Sequence, residues 1–138
     1  TWMANGTPDD RQRRLYAACF EHVHRNMELL KPGLSFLELM ERGFCYSAEL
    51  AEQNFTTIFH GLGLENEWPI IMSPDKLHIP GAYGGGYDGV LEVGMTLCIE
   101  SYAGEIGGPD GVKLEEMVLI TDTGAVPLGL TPYEEDWL

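Results

Sequence analysis

Two alternating runs late in the chain, MTLCIESY at 95–102 and VKLEEMVLIT at 112–121, constrain the fold more than any other feature. In the first, Met95, Leu97 and Ile99 share one face while Thr96, Cys98 and Glu100 share the other, the period of two that an extended strand requires. The second run predicts a partner strand, and DTG at 122–124 turns it back toward AVPL. Both runs carry carboxylates where apolar residues are expected. Glu100 lies between Ile99 and Ser101, and burying it is costly unless a cation or hydrogen-bond donors compensate. Glu115 and Glu116 are neighbours, so they face opposite sides. Leu114 shares a face with Glu116, and Met117 and Leu119 share one with Glu115, so parity leaves open which of the two joins Glu100.

Helices are expected before these strands. TPDD at 7–10 reads as a helix entrance with Thr7 as cap and Pro8 in the first turn. The helix should run to about residue 30, burying Leu15, Cys19, Val23, Met27 and Leu30 with Tyr16 and Phe20, until KPG at 31–33 stops it. Ser35 with Glu38 forms a capping-box pattern for a second helix carrying Phe36, Leu37 and Met40. Gly43 interrupts that helix, and CYSAELAEQN at 45–54 predicts a further helical piece. Beyond residue 55 come short strands and glycine-rich turns. GAYGGGYDG at 81–89 holds five glycines but lacks the lysine and hydroxyl of a phosphate-binding loop, which makes it a turned or flexible connection. Helices first and antiparallel strands afterwards predict an α+β fold.

Length and hydrophobic content, 138 residues and 44%, suit one modest domain. The formal charge of -14 repels nucleic-acid phosphates and anionic lipid, so neither DNA, RNA nor a membrane is an expected partner. Cys19, Cys45 and Cys98 are widely spaced and form no CxxC pair, the pattern of unpaired thiols in a reducing compartment. A cytoplasmic location is the resulting expectation.

FHGLGLENEWP at 59–69 supplies the imidazole that the strand carboxylates lack. Glycines beside His60 allow close backbone approach to a ligand. One imidazole and two carboxylates suit a hard-to-borderline cation such as Mn, Fe, Co or Zn. The other histidines are weaker candidates: His22 and His24 flank Val23 on the first helix and point in different directions, and His78 sits in a loop-like stretch. There is no HExxH or GxSxG motif for the alternative hydrolytic chemistries.

Four stretches in this order, MELLKPG at 27–33, FHGLGLENEWP at 59–69, LEVGMTLCIES at 91–101 and VKLEEMVLITDTG at 112–124, resemble the carboxyl-terminal half of the pita-bread metallohydrolases. That family includes methionine and Xaa-Pro aminopeptidases, prolidases and creatinase-like proteins. The resemblance implies a partial pita-bread fold, a curved antiparallel sheet with flanking helices, and a dinuclear metal site bridged by water. By resemblance, His60 is the metal histidine, Glu100 the first metal glutamate and Glu115 the second, bridging one. Glu100 is also the expected proton relay. Two aspartate ligands would precede the first helix, so residues 1–138 are expected to be the carboxyl-terminal portion of a longer catalytic domain, with the amino-terminal half as a missing partner and a homodimer as a further expectation. The isolated piece is expected to be inactive and to hold metal incompletely or not at all.

The family's peptidase loop carries a second histidine where this chain has Asn66. An amide can hydrogen-bond a carbonyl or oxyanion but does not exchange a proton near neutral pH, so Asn66 is read as a substrate-orienting residue. GAYGGGYDG, MTLCIES and PYEEDW also resemble the dimethylsulfoniopropionate lyase branch, which removes an α-proton from a sulfonium acid. That branch has an aspartate base six residues after its metal histidine and a tyrosine five residues before it; this chain has Asn66 and Phe55 there. The leading expectation is a metal-dependent hydrolase of the Xaa-Pro aminopeptidase or dipeptidase class acting on a small peptide. The alternatives are a lyase acting on a small carboxylate, or a noncatalytic binding module that keeps the fold.

Overall fold

The computed structural model describes Thr1 and residues 6–50, 55–64, 67–76 and 89–138. Asn66, His78, the AEQN of 51–54 and the GAYGGGYD of 81–88 lie outside the described residues. Helix α1 spans Asp10–Leu29 and is followed by a short α2, Phe36–Arg42. Strands β1 (Thr57–Gly61), β2 (Ile70–Met72), β3 (Thr96–Gly104), β4 (Gly111–Thr121) and β5 (Gly124–Pro127) form one antiparallel sheet in the order β2-β1-β3-β4-β5. The α+β expectation holds. No described helix is long and apolar enough to cross a membrane.

The start of α1 differs from expectation by two residues. Asp9, not Thr7, is the cap: its carboxylate accepts from the Gln12 amide at 2.8 Å while the Gln12 side chain accepts from the Asp9 amide at 3.0 Å. An aspartate that closes a reciprocal box satisfies two orphan amides and adds charge beside the helix dipole, so it outcompetes a threonine further out. The second box forms as expected, with Ser35 and Glu38 bonded both ways at 3.1 and 2.8 Å. Within α2, however, Leu37 is exposed and Leu39 is buried in its place, because the inward positions are 36, 39 and 40.

Residues 45–50 are not helical. Asn26, buried in α1, binds the backbone of Phe44 at both ends: its carbonyl accepts from the Phe44 amide at 2.8 Å and its amide donates to the Phe44 carbonyl at 3.3 Å. Those backbone groups are then unavailable to a continuing helix. Residues 48–50 form a turn instead, with the Leu50 amide donating to the Ser47 carbonyl at 3.0 Å, and Tyr46 stacks on His22 with ring centroids 4.5 Å apart. His24 points elsewhere, against Phe20 and Tyr133, as the helical spacing predicts.

One side of the sheet packs on α1, which lies across β3 and β4. Leu15, Cys19 and Val23 from the helix meet Phe59, Ile99, Val112, Leu114 and Val118 in a single buried cluster. Each fully buried aliphatic or aromatic side chain there contributes roughly 1.5–3 kcal/mol. All three thiols are unpaired; Cys19 and Cys98 are buried, and Cys45 is partly so. The opposite side of β3 and β4 carries Cys98, Glu100, Lys113 and Glu115, whereas Ser101 and Glu116 are buried on the helix side.

Candidate metal centre

Strand register decides which side chains meet. Glu100 pairs directly with Glu115 across β3 and β4, and His60 pairs with Cys98 across β1 and β3. Directly opposed residues share a face, and so do residues two apart, which puts His60, Cys98, Glu100, Lys113 and Glu115 together on the side away from α1. Glu116 pairs with Ile99 and falls on the helix side. The ambiguity left by parity is resolved by register: Glu115 faces Glu100.

Local structure holds the imidazole in place. A register irregularity between Thr57 and Phe59 lets β1 bury Ile58, Phe59 and His60 in succession. A Cβ on Gly61 would stand 1.8 Å from the Trp68 carbonyl oxygen, so only glycine lets the returning chain lie that close. The Gly61 amide in turn donates to the Pro69 carbonyl at 2.9 Å. His60 is 6% exposed, and its Nδ1 lies 3.1 Å from the Gly61 carbonyl oxygen, leaving Nε2 toward the carboxylates. Nε2 is 3.5 Å from Glu115 Oε1 and 3.9 Å from Glu100 Oε2.

Lys113 and Cys98 complete the cluster, and neither was singled out from sequence as part of the site. The Lys113 ammonium donates to Glu100 Oε1 at 2.6 Å and lies 3.3 Å from Glu115 Oε2. Cys98 Sγ donates to Glu115 Oε1 at 2.7 Å. Burial alone would raise the Glu115 carboxyl, but the thiol hydrogen bond and the neighbouring ammonium outweigh it and hold the carboxyl below its ordinary range. For Lys113, burial would favour the neutral amine, and the contacts with Glu100 and Glu115 reverse that and strengthen its hold on the proton. The Cys98 thiol is pushed up by burial first and by the Glu115 carboxylate second. Phe55 roofs the lysine, with Nζ 5.1 Å from its ring centroid, and stacks on Tyr102 at 5.2 Å. Parity on β4 places Lys113 beside Glu115, and parity on β3 places Cys98 and Tyr102 beside Glu100; only the register joins the two sets.

The donor set fits a divalent cation. His60, Cys98 and Glu115 each offer one ligand atom, all within 4.8 Å of one another, and Glu100 adds a carboxylate oxygen from the same face. A buried imidazole nitrogen aimed at carboxylates is the arrangement that such an ion compensates. Among the described residues, the expected ligands His60, Glu100 and Glu115 are thus brought together; Asn66 lies outside them. Glu116 is used differently, accepting from the Gly129 amide and the Tyr133 hydroxyl, each at 3.2 Å.

The chain is similar to known metallopeptidases in sequence and in fold. Residues 1–122 match the model of metallopeptidase family M24. The chain is 38% identical over 133 residues to dimethylsulfoniopropionate lyase DddP of Roseovarius nubinhibens, covering 96% of this chain and 29% of that protein. It is 33% identical over 134 residues to an Xaa-Pro dipeptidase of Pyrococcus furiosus, covering 94% of this chain and 34% of the relative. The prolidase structure from Pyrococcus horikoshii superposes with a TM-score of 0.68 at 30% identity, over 94% of this chain and 34% of that one. The chain therefore spans about a third or less of the relatives it matches. With its sheet, its flanking helices and its sequence match in agreement, the chain belongs to metallopeptidase family M24.

Proposed function

We propose that this chain supplies one half of the metal site of a cytoplasmic, metal-dependent hydrolase of the Xaa-Pro aminopeptidase or dipeptidase class. The observation that carries the reading is the meeting of His60, Glu100 and Glu115 on one face of three adjacent strands. In the complete protein these residues, with two aspartates from a further segment, would hold two divalent ions. Ions bound there supply Lewis acidity, polarising a scissile carbonyl and lowering the pKa of bound water toward neutrality.

The chain's own groups have distinct tasks in this reading. His60 presents Nε2 because Nδ1 is directed at the Gly61 carbonyl. Glu100, 16% exposed at its side chain, takes and returns a proton in this reading. Lys113 lies between the two carboxylates and helps to hold the Glu115 carboxyl below its ordinary range. Asn66 orients the substrate through its amide without exchanging a proton. The substrate is a small peptide, and two copies of the complete protein associate.

A lyase acting on a small β-substituted carboxylate is the second reading, favoured by identities of 38% and 41% to two dimethylsulfoniopropionate lyases. Asn66 and Phe55 stand where that branch has its base and its tyrosine, which ranks it second. The test is to load a longer protein containing this chain with Mn, Co or Zn and to assay a panel of Xaa-Pro peptides beside a β-sulfonium carboxylate. Peptide cleavage supports the hydrolase. Alkene release without cleavage supports the lyase, and full metal occupancy with neither product removes both.

A further inference from the structure

The two oxygens of each carboxylate in the cluster serve different neighbours. Glu100 Oε1 and Glu115 Oε2 face the Lys113 ammonium, while Glu100 Oε2 and Glu115 Oε1 face His60 and Cys98. A cation on the histidine side therefore leaves the lysine in place. On that side the donors are an imidazole nitrogen, a carboxylate oxygen and a sulfur, each from a different strand of one sheet. Strand positions fix such groups more tightly than loops do.

From this juxtaposition we propose that Cys98 is a metal ligand, forming with His60 and Glu115 a sulfur-containing site that selects a thiophilic borderline cation, Zn or Co, over Mn or Mg. The inference rests on the metal-site reading above and sharpens it to a ligand set and an ion class. Zinc bonds sulfur at about 2.3 Å and nitrogen or oxygen at about 2.0–2.2 Å, so tetrahedral ligands stand about 3.3–3.6 Å apart. His60 Nε2 and Glu115 Oε1 already stand at 3.5 Å. The Cys98 Sγ to Glu115 Oε1 contact of 2.7 Å is closer than a thiol hydrogen bond ordinarily comes, and the two atoms separate to share an ion. The S–H bond breaks as the sulfur–metal bond forms, and the proton leaves to water.

Charge favours the same assignment. The ion's two positive charges and the one on Lys113 are balanced by a Cys98 thiolate and the carboxylates of Glu100 and Glu115. With a neutral group in place of the thiolate, the partly solvated cluster carries a positive charge that its own groups leave unbalanced. Cys98 itself is 2% exposed, so its sulfur faces the cluster rather than solvent. Thiolate ligands favour Zn over Mn or Mg, whose preferred donors are oxygens.

The experiment is a Co titration of the 138-residue chain under reducing conditions, followed by absorbance and calorimetry. The expected result is a near-ultraviolet sulfur-to-cobalt charge-transfer band, lost in Cys98→Ser, with affinity lower by at least about 100-fold, since even groups that merely orient a ligand are worth about 10–100-fold. His60→Ala should abolish the band as well, and Cys45→Ser should keep it. Circular dichroism confirms that each variant keeps its fold, and Cys98→Ala provides a second substitution if Cys98→Ser does not. Co binding that depends on His60 but shows no sulfur band, with affinity unchanged in Cys98→Ser, overturns the sulfur assignment and leaves the metal-site reading standing. Absence of Co binding at millimolar concentration overturns it too, and the Mn, Co or Zn content of the longer protein then decides the metal-site reading by itself.

Discussion

Glu115 and Glu116 are adjacent in sequence, yet their surroundings have almost nothing in common. On the helix side of β4, Val112, Leu114, Val118 and Ile120 are buried, and the single carboxylate among them, Glu116, is tied down by Gly129 and Tyr133. On the other side, Glu115 meets a cation, a thiol, an imidazole and a second carboxylate. One face of the strand stabilises the fold through apolar contact and a satisfied acceptor. The other concentrates charge and donor atoms in an arrangement that fits a divalent ion. A single strand thus separates stability from chemistry by parity alone.

That division can be broken on either face. The largest expected effect is on the helix side: Ile99→Ala removes a side chain with 0% exposure and should lower the unfolding free energy by roughly 2–5 kcal/mol, read from denaturant midpoints. The same side should be acid-sensitive. His22 is buried against Tyr46, and burial lowers its pKa from 6.5 to about 4 despite the opposing charge of Asp75. An imidazole that gains its proton near 6.5 when unfolded, but only at about 4 when folded, leaves stability intact above pH 6.5 and removes it as pH falls toward 4. The full loss is roughly 3 kcal/mol at about 1.4 kcal/mol per unit. Unfolding of His22→Gln between pH 7 and 4 should lack this component, and an unchanged pH profile would count against the assignment.

The sharpest contrast is between the two adjacent glutamates. Glu115→Gln should weaken divalent-ion binding by about 100-fold while changing stability by under about 1 kcal/mol, because its surroundings are partly solvated. Glu116→Gln should do the reverse, losing about 1–2 kcal/mol through weaker hydrogen bonds to Gly129 and Tyr133 while leaving ion affinity unchanged. Paired calorimetry and denaturation of the two variants would expose any exchange of roles. The smallest effect is expected at Lys113, whose side chain is 43% exposed. Lys113→Met should tighten ion binding by up to about tenfold by removing a like charge beside the site, and weaker binding would mean that the ammonium supports the ion's ligands instead of opposing it.

Much of this organisation is legible in the order of the amino acids. The Ser35 and Glu38 box, the inward stripe of α1 and the alternation of β3 all follow from local periodicity and end chemistry, which need no distant partner. The departures have a common origin in competition that local patterns do not rank. Asp9 displaces Thr7 because Gln12 can answer it, and residues 45–50 stay out of a helix because Asn26, eighteen positions before Phe44, captures the Phe44 backbone. The site is half legible in the same sense. Alternation shows that Cys98 shares a face with Glu100 and Lys113 with Glu115, but their meeting depends on the pairing of Glu100 with Glu115, a matter of register. Resemblance, not periodicity, singles out Glu115 from Glu116.

The central claim is that His60, Glu100 and Glu115 form one half of a metal site, and metal stoichiometry tests it most directly. Calorimetric titration of the chain with Zn is expected to show one ion bound, lost in His60→Ala and retained in His24→Ala, since His24 lies on α1 against Phe20 and Tyr133. Binding that is indifferent to His60, or that disappears with His24, would contradict the account.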